Sequence, residues 1–385
     1  MPVADRFSAF GTTVFAEISR LAIQHNAVNL GQGFPDFDGP EHVKQAAIDA
    51  IRAGHGQYAR TQGVPILNES IAAFWNSETG EVIDPDAQVT VTAGCTEAIA
   101  ATLLGLVNPG EEVILFEPYY DSYRACVSMA GATPRFVTLR APDFTFDESE
   151  LRAAFTSKTK AILINTPHNP TGHVFTRDEL DLIAQLCQKH DVIAITDEVY
   201  EKLVFEGEHI RMATLPGMWE RTVTLSSLGK TFSLTGWKIG WAIAPEELTR
   251  AVRAAHQYLT FAVNTPCQHA AAAALRSPAA YYDDFLTEYR ARRDYLCGAL
   301  TDIGFKLHKP EGTYFVLADH TPFGFDNDVS FCKHLVEHIG VAAIPPTAFY
   351  ENKHEGRKLV RFAFCKKMET LEAAVERMRK LKKTN

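Results

Sequence analysis

The chain has 385 residues, 46% apolar and 22% charged, and 38 Lys+Arg against 47 Asp+Glu leave a net charge of −9. At about 100–200 residues per domain this length favours two domains, each able to bury a core without disulfides or metal. The negative balance excludes a whole-protein nucleic-acid footprint, no apolar run reaches the roughly 20 residues that span a bilayer, and residues 1–6 lack the apolar stretch of a secretory signal. Seven scattered cysteines, none in a CxxC, read as reduced thiols of a cytoplasmic protein, and no Cys/His pair stands at metal-ligand spacing.

Gly39-Pro40-Glu41 predicts a helix with Pro at its first position and an acid in its first turn. From about residue 87 to 245, short apolar runs alternate with helical stretches, the pattern of βαβ units and a parallel sheet. Strands are expected over 88–92, 112–116, 133–138, 161–164, 192–195, 222–225 and 239–244. Leu180, Ile183, Ala184 and Cys187 fall on one face of a helix over 177–190, so 161–196 reads as one right-handed βαβ unit. Beyond about 270 the pattern changes to a long helix (278–302), two strand-like runs (312–318 and 359–364) and a closing helix (369–382), a smaller α+β region. The basic end (Arg377, Arg379, Lys380, Lys382 and Lys383) suits cations at a helix C-terminus better than a site for an anionic partner.

Several features carry chemistry. Gly94-Cys95-Thr96, between a strand and a helix, reads as a phosphate cradle or as an ordinary N-cap at Thr96. Asp197 ends a buried strand, where ligands bind in open α/β sheets, and a carboxylate there calls for a cationic partner. The loop 165–172, with Asn169 and Pro170, ends another strand of that sheet and is either site or plain turn. Lys230 follows the strand at 222–225 and Ser226-Ser227, and Lys238 comes eight residues later. A buried lysine suits Schiff-base and base chemistry, and a second suits a phosphate; two snorkelling lysines are the alternative. Arg361 interrupts the apolar run 359–364 and needs an anion, whether a fixed acid or a substrate carboxylate.

Together these residues resemble the fold-type I, pyridoxal-phosphate-dependent class I/II aminotransferases over almost the whole chain. Within them the methionine aminotransferase and kynurenine aminotransferase/cysteine-conjugate β-lyase branch is the nearest. The matching stretches are 29–37, 165–172, 197–200, 227–241, 256–261 with 264–266, and 311–315. The resemblance implies an α/β fold: a large domain (39–275) with a mostly parallel seven-stranded sheet flanked by helices, and a small α+β domain (276–385) joined by the N-terminal segment 1–38. It implies Lys230 as the residue that carries pyridoxal 5′-phosphate and moves the proton, and Asp197 on the pyridine nitrogen. Asn169 and Tyr200 fall to the ring hydroxyl, and Tyr120 stacks on the ring. Cys95 (through its backbone N–H), Thr96, Ser227 and Lys238 fall to the phosphate, with Tyr58 reaching it from the other subunit of a homodimer. Arg361 clamps the substrate carboxylate, helped by Asn169 and Gly33, with Phe15, Tyr58, Phe261 and Tyr314 around the side chain.

The implied activity moves the amino group of methionine or aromatic amino acids to a 2-oxo acid by ping-pong kinetics, without metal, membrane or nucleic acid. A cysteine-conjugate β-lyase and a kynurenine–oxoglutarate transaminase are the alternatives on the same scaffold. Residues 256–266 hold no Arg or Lys for a second carboxylate, which argues against aspartate, and they lack the His of the kynurenine enzymes. A cofactor-binding regulator would need a DNA-binding module, for which no length is left over.

Overall fold

The computed structural model describes residues 4–8, 10–11 and 14–382. Its strands are β1 Val28–Asn29, β2 Val89–Thr92, β3 Glu112–Glu117, β4 Thr133–Thr138, β5 Thr159–Asn165, β6 Ile193–Asp197, β7 Thr222–Ser227, β8 Gly240–Ile243, β9 Lys306–His308, β10 Phe315–Asp319, β11 Val341–Ala342 and β12 Leu359–Ala363. Seven of them form one sheet in the order β2-β8-β7-β6-β5-β3-β4. Only β8 runs against its neighbours in that sheet. The apolar runs are continuous because both faces are covered. Leu163 and Ile195 enter one core while Ile162, Ile164 and Ala194 enter another on the opposite face, the alternation that a pleated strand imposes.

The helix Arg177–His190 buries Leu180, Ile183, Ala184 and Cys187, and a Thr176–Glu179 capping box starts it. It joins β5 to the parallel β6, with Asn165 beside Asp197 at their carboxyl ends. A second sheet, β12-β10-β9, is antiparallel, and β1 pairs in parallel with β11. Leu30 ties the two small sheets: its N–H reaches the Ala342 carbonyl at 3.0 Å, and its carbonyl accepts from Ala363 N at 2.7 Å.

Several boundaries differ from those expected. Pro40 is the N-cap rather than the first helical residue of Glu41–Arg52. The helix Gly94–Leu106 begins before Thr96, so Thr96 lies in its first turn and does not cap it. The run beginning at Gly312 becomes a strand only at Phe315, because Gly312 bridges back to Val204 instead. The last helix is Met368–Met378, and Arg377 spends its charge on the carbonyls of Asn26 (2.9 Å) and Gly340 (2.8 Å) on other segments. Lys383 lies outside the described residues.

Candidate active site

The carboxyl ends of β5, β6 and β7 open into a cavity of about 260 Å³ whose lining includes Cys95, Thr96, Tyr120, Asn169, Asp197, Tyr200, Ser227, Lys230 and Lys238. On one side stands the start of the helix Gly94–Leu106, whose first N–H groups have no partner within the helix. Gly94 has φ +76°, and a Cβ there would come within 3.0 Å of Lys238 Nζ. A Cβ on Gly240 would lie 2.5 Å from the Gly94 carbonyl carbon. The two glycines therefore let backbone, helix N-terminus and ammonium meet at one point, which suits a phosphate.

Asp197 lies opposite. Its Oδ2 accepts from Tyr123 Oη at 2.7 Å, and its Oδ1 accepts from Val199 N at 3.3 Å and Cys95 Sγ at 3.5 Å. Burial pushes this carboxyl above its usual range, and the three donors and Lys230 pull it back. The cationic partner expected from the sequence is absent: among the described residues no ion pair involves Asp197. A buried acid satisfied only by neutral donors fits the protonated ring nitrogen of pyridoxal phosphate, which brings the missing charge. Tyr120 is the aromatic wall, its phenol pushed up to about 12 by burial. Lys230 sits in the short helix Leu228–Thr231 after β7, its Nζ 5.5 Å and 5.6 Å from the ring centres of Tyr200 and Tyr314. Burial lowers its pKa below the ordinary lysine value.

A second chamber shares Gly33, Phe34, Tyr120, Asn169, Tyr200 and Lys230 with the first, and adds Phe15, Gln32, Asp121, Phe315 and Arg361. Arg361 is buried in β12 with its guanidinium against Phe315 (4.2 Å), Phe349 (5.1 Å) and Phe15 (5.2 Å). It donates to the Gly31 carbonyl at 2.9 Å and Asn169 Oδ1 at 3.4 Å, and its Nε has no partner. Burial lowers its pKa to about 10, which still leaves it a cation at neutral pH. No fixed acid pairs with it among the described residues, so of its two sequence readings the substrate carboxylate is favoured.

Tyr314 is wholly buried behind Tyr200, where its hydroxyl donates to the Gly33 carbonyl at 2.6 Å. It shapes the wall without lining either chamber. Tyr58 (84% exposed) and Phe261 (41% exposed) pack on each other at the surface and line neither chamber. Tyr123, Gln32, Asp121 and Phe315 were not singled out in the sequence. For Tyr123 a signal existed: it lies one helical turn after Tyr120, on the same face.

Behind Asp197, Glu198 is fully buried. Burial opposes its charge, but His209 (2.8 Å) and Arg211 (2.5 Å) hold the carboxylate below its usual range. Arg211 also pairs with Glu201, which accepts from Ser226 Oγ at 2.9 Å. Glu198, Glu201 and His209 lie close enough to share a metal ion, but Arg211 already pairs with both acids. The cluster is an ionic floor under β6 and β7.

A family model described as aminotransferase class I and II matches residues 25–378. The chain is 48% identical to the probable N-succinyldiaminopimelate aminotransferase of Mycobacterium tuberculosis, covering 97% of each chain. It is 41% identical to the methionine aminotransferase of Escherichia coli, covering 98% of each. The solved structure of the N-succinyldiaminopimelate aminotransferase from M. tuberculosis superposes with a TM-score of 0.96 at 48% identity, over 99% of this chain and 100% of that one.

Proposed function

The chain belongs to the class I and II aminotransferases, enzymes that use pyridoxal phosphate, and from that premise we propose that it transfers the amino group of methionine and aromatic amino acids to a 2-oxo acid. The observation that carries this reading is the second chamber: Phe15, Phe34, Tyr120 and Phe315 wall it, and among the described residues Arg361 is its one cation besides Lys230. One guanidinium fork binds one carboxylate, and the aromatic walls suit an apolar side chain.

When bound, the cofactor supplies an electron sink for the bond broken at the substrate Cα. Lys238, Ser227, Thr96 and the Cys95 N–H would hold its phosphate, Asp197 its ring nitrogen, and Asn169 and Tyr200 its ring hydroxyl. Arg361, with Asn169 and Gly33, fixes the substrate carboxylate and so aims the Cα–H bond. Lys230 Nζ is the group placed to take the Cα proton; its lowered pKa keeps more of it neutral at working pH. The two half-reactions alternate in ping-pong fashion. The active unit is a homodimer in which the exposed Tyr58 completes the partner's phosphate site, with Phe261 beside it.

The 48% identity to the M. tuberculosis protein favours a second reading, N-succinyldiaminopimelate as donor. That substrate carries further carboxylates, for which the described residues of the second chamber offer no cation beyond Arg361 and Lys230. Steady-state kcat/KM for L-methionine, L-phenylalanine, L-kynurenine and N-succinyldiaminopimelate, with pyruvate release from a cysteine conjugate measured in parallel, tests the assignment. Methionine or phenylalanine should lead by at least about tenfold, an advantage of about 1.4 kcal/mol. A lead for the succinylated donor, or pyruvate release without transamination, would overturn it.

A further inference from the structure

We propose that Tyr123 is a positioning residue for Asp197, with Cys95 as a second and weaker donor, and that the pair sets how firmly this carboxylate holds the protonated ring nitrogen of the cofactor. The inference rests on the family's cofactor and not on the choice of amino donor. Tyr123 Oη stands 2.7 Å from Asp197 Oδ2, and Cys95 Sγ stands 3.5 Å from Oδ1. Both side chains are buried, Tyr123 with 3% exposure, and both stand beside the carboxylate in the wall of the cavity. An O–H donated to a carboxylate is among the stronger neutral-to-charged hydrogen bonds. It withdraws charge from Asp197 and fixes its rotamer, leaving the remaining lone pairs for the ring N–H.

The two donors come from different helices, Asp121–Met129 and Gly94–Leu106. The carboxylate is therefore held between the element that presents Tyr120 and the element that presents its N-terminus to the phosphate. Tyr123 also packs edge-to-face on Tyr120, with ring centres 5.6 Å apart. One helix thus positions both the stacking ring and the acid. Without the phenol, Asp197 becomes more basic, draws the ring proton toward itself and weakens the ring as an acceptor of electrons.

The test uses Tyr123→Phe, Cys95→Ala and Cys95→Ser. Affinity is read by titrating the apo-protein with pyridoxal phosphate, and ring protonation by the ¹⁵N resonance of ring-labelled cofactor. Tyr123→Phe should weaken cofactor binding and lower kcat by about tenfold or more, the effect of one hydrogen bond to a charged group. KM for the amino donor should stay unchanged, and the ¹⁵N resonance should move toward the unprotonated form. Cys95→Ala should shift it less in the same direction, and Cys95→Ser should restore it. A Tyr123→Phe protein with wild-type affinity and ¹⁵N shift overturns the proposal. If circular dichroism shows that variant misfolded, the cysteine pair decides: identical resonances for Cys95→Ala, Cys95→Ser and wild type overturn it.

Discussion

Replacing Arg361 by Met separates a functional cation from a structural one. The guanidinium is buried in β12 among three aromatic rings, its Nε unpaired and no acid within ion-pair reach among the described residues. A carboxylate bound in its fork gains two charge-assisted hydrogen bonds, each about 1.5–3 kcal/mol. Taking the lower value for both gives about 3 kcal/mol, or roughly a 100-fold loss in kcat/KM. The loss should fall on every amino donor alike, because the carboxylate is common to all. The same change removes a buried, unneutralised charge at similar volume, so the fold should keep its Tm or gain in it. The assay is kcat/KM for two donors, together with Tm with and without a saturating, unreactive monocarboxylate; the ligand should raise the wild-type Tm and not the variant's. A KM close to wild type, or a large fall in Tm with kcat/KM preserved, would show that Arg361 is structural.

Lys230→Ala should leave the far-ultraviolet circular dichroism unchanged and abolish turnover, and substantial residual turnover would remove it as the base. Arg211→Met leaves Glu198 and Glu201 without their shared cation and should cost about 3–5 kcal/mol in urea unfolding. Gly240→Ala drives a Cβ into the Gly94 backbone and should weaken pyridoxal phosphate binding by at least tenfold, about 1.4 kcal/mol, read by titration of the apo-protein. Burial opposes the charge on His173, but Glu179 (2.9 Å) and Glu311 (3.2 Å) raise its pKa from 6.5 to about 9. A raised folded-state pKa gives stability that is complete below pH 6.5 and lost as pH climbs through about 9. His173→Gln should therefore be less stable than wild type at pH 6, by up to about 3 kcal/mol, and nearly equal to it at pH 9.5; a pH-independent difference would contradict this.

The large sheet was legible because buried parallel strands read as unbroken apolar runs, and β5 to β7 fall within a few residues of their predicted places; β4, buried only at Val137 and Thr138, nonetheless falls at its predicted residues. The two-residue pair β1 and β11, and the three-residue β9, were not, since strands this short carry no period, and β1 and β11 are in addition held by each other across more than 300 residues. At the site, Asp197, Lys230, Lys238 and Arg361 stood out because a charge inside or just after an apolar strand demands a reason. Tyr123 did not, because a tyrosine in an amphipathic helix looks like core until its acceptor, 74 residues on, is in view. The aromatic wall was half legible: Phe15 lines the chamber and Tyr314 backs it. Tyr58 and Phe261 face outward, where a single chain gives them no substrate to touch.

Cofactor, base and amino donor are tested together by the visible absorption spectrum of the purified protein before and after L-methionine, with no oxo acid added. The protein should be yellow, with a band that bleaches on adding methionine and returns with a 2-oxo acid. No band even with added pyridoxal phosphate, or a band that methionine and phenylalanine both leave unchanged, would contradict it.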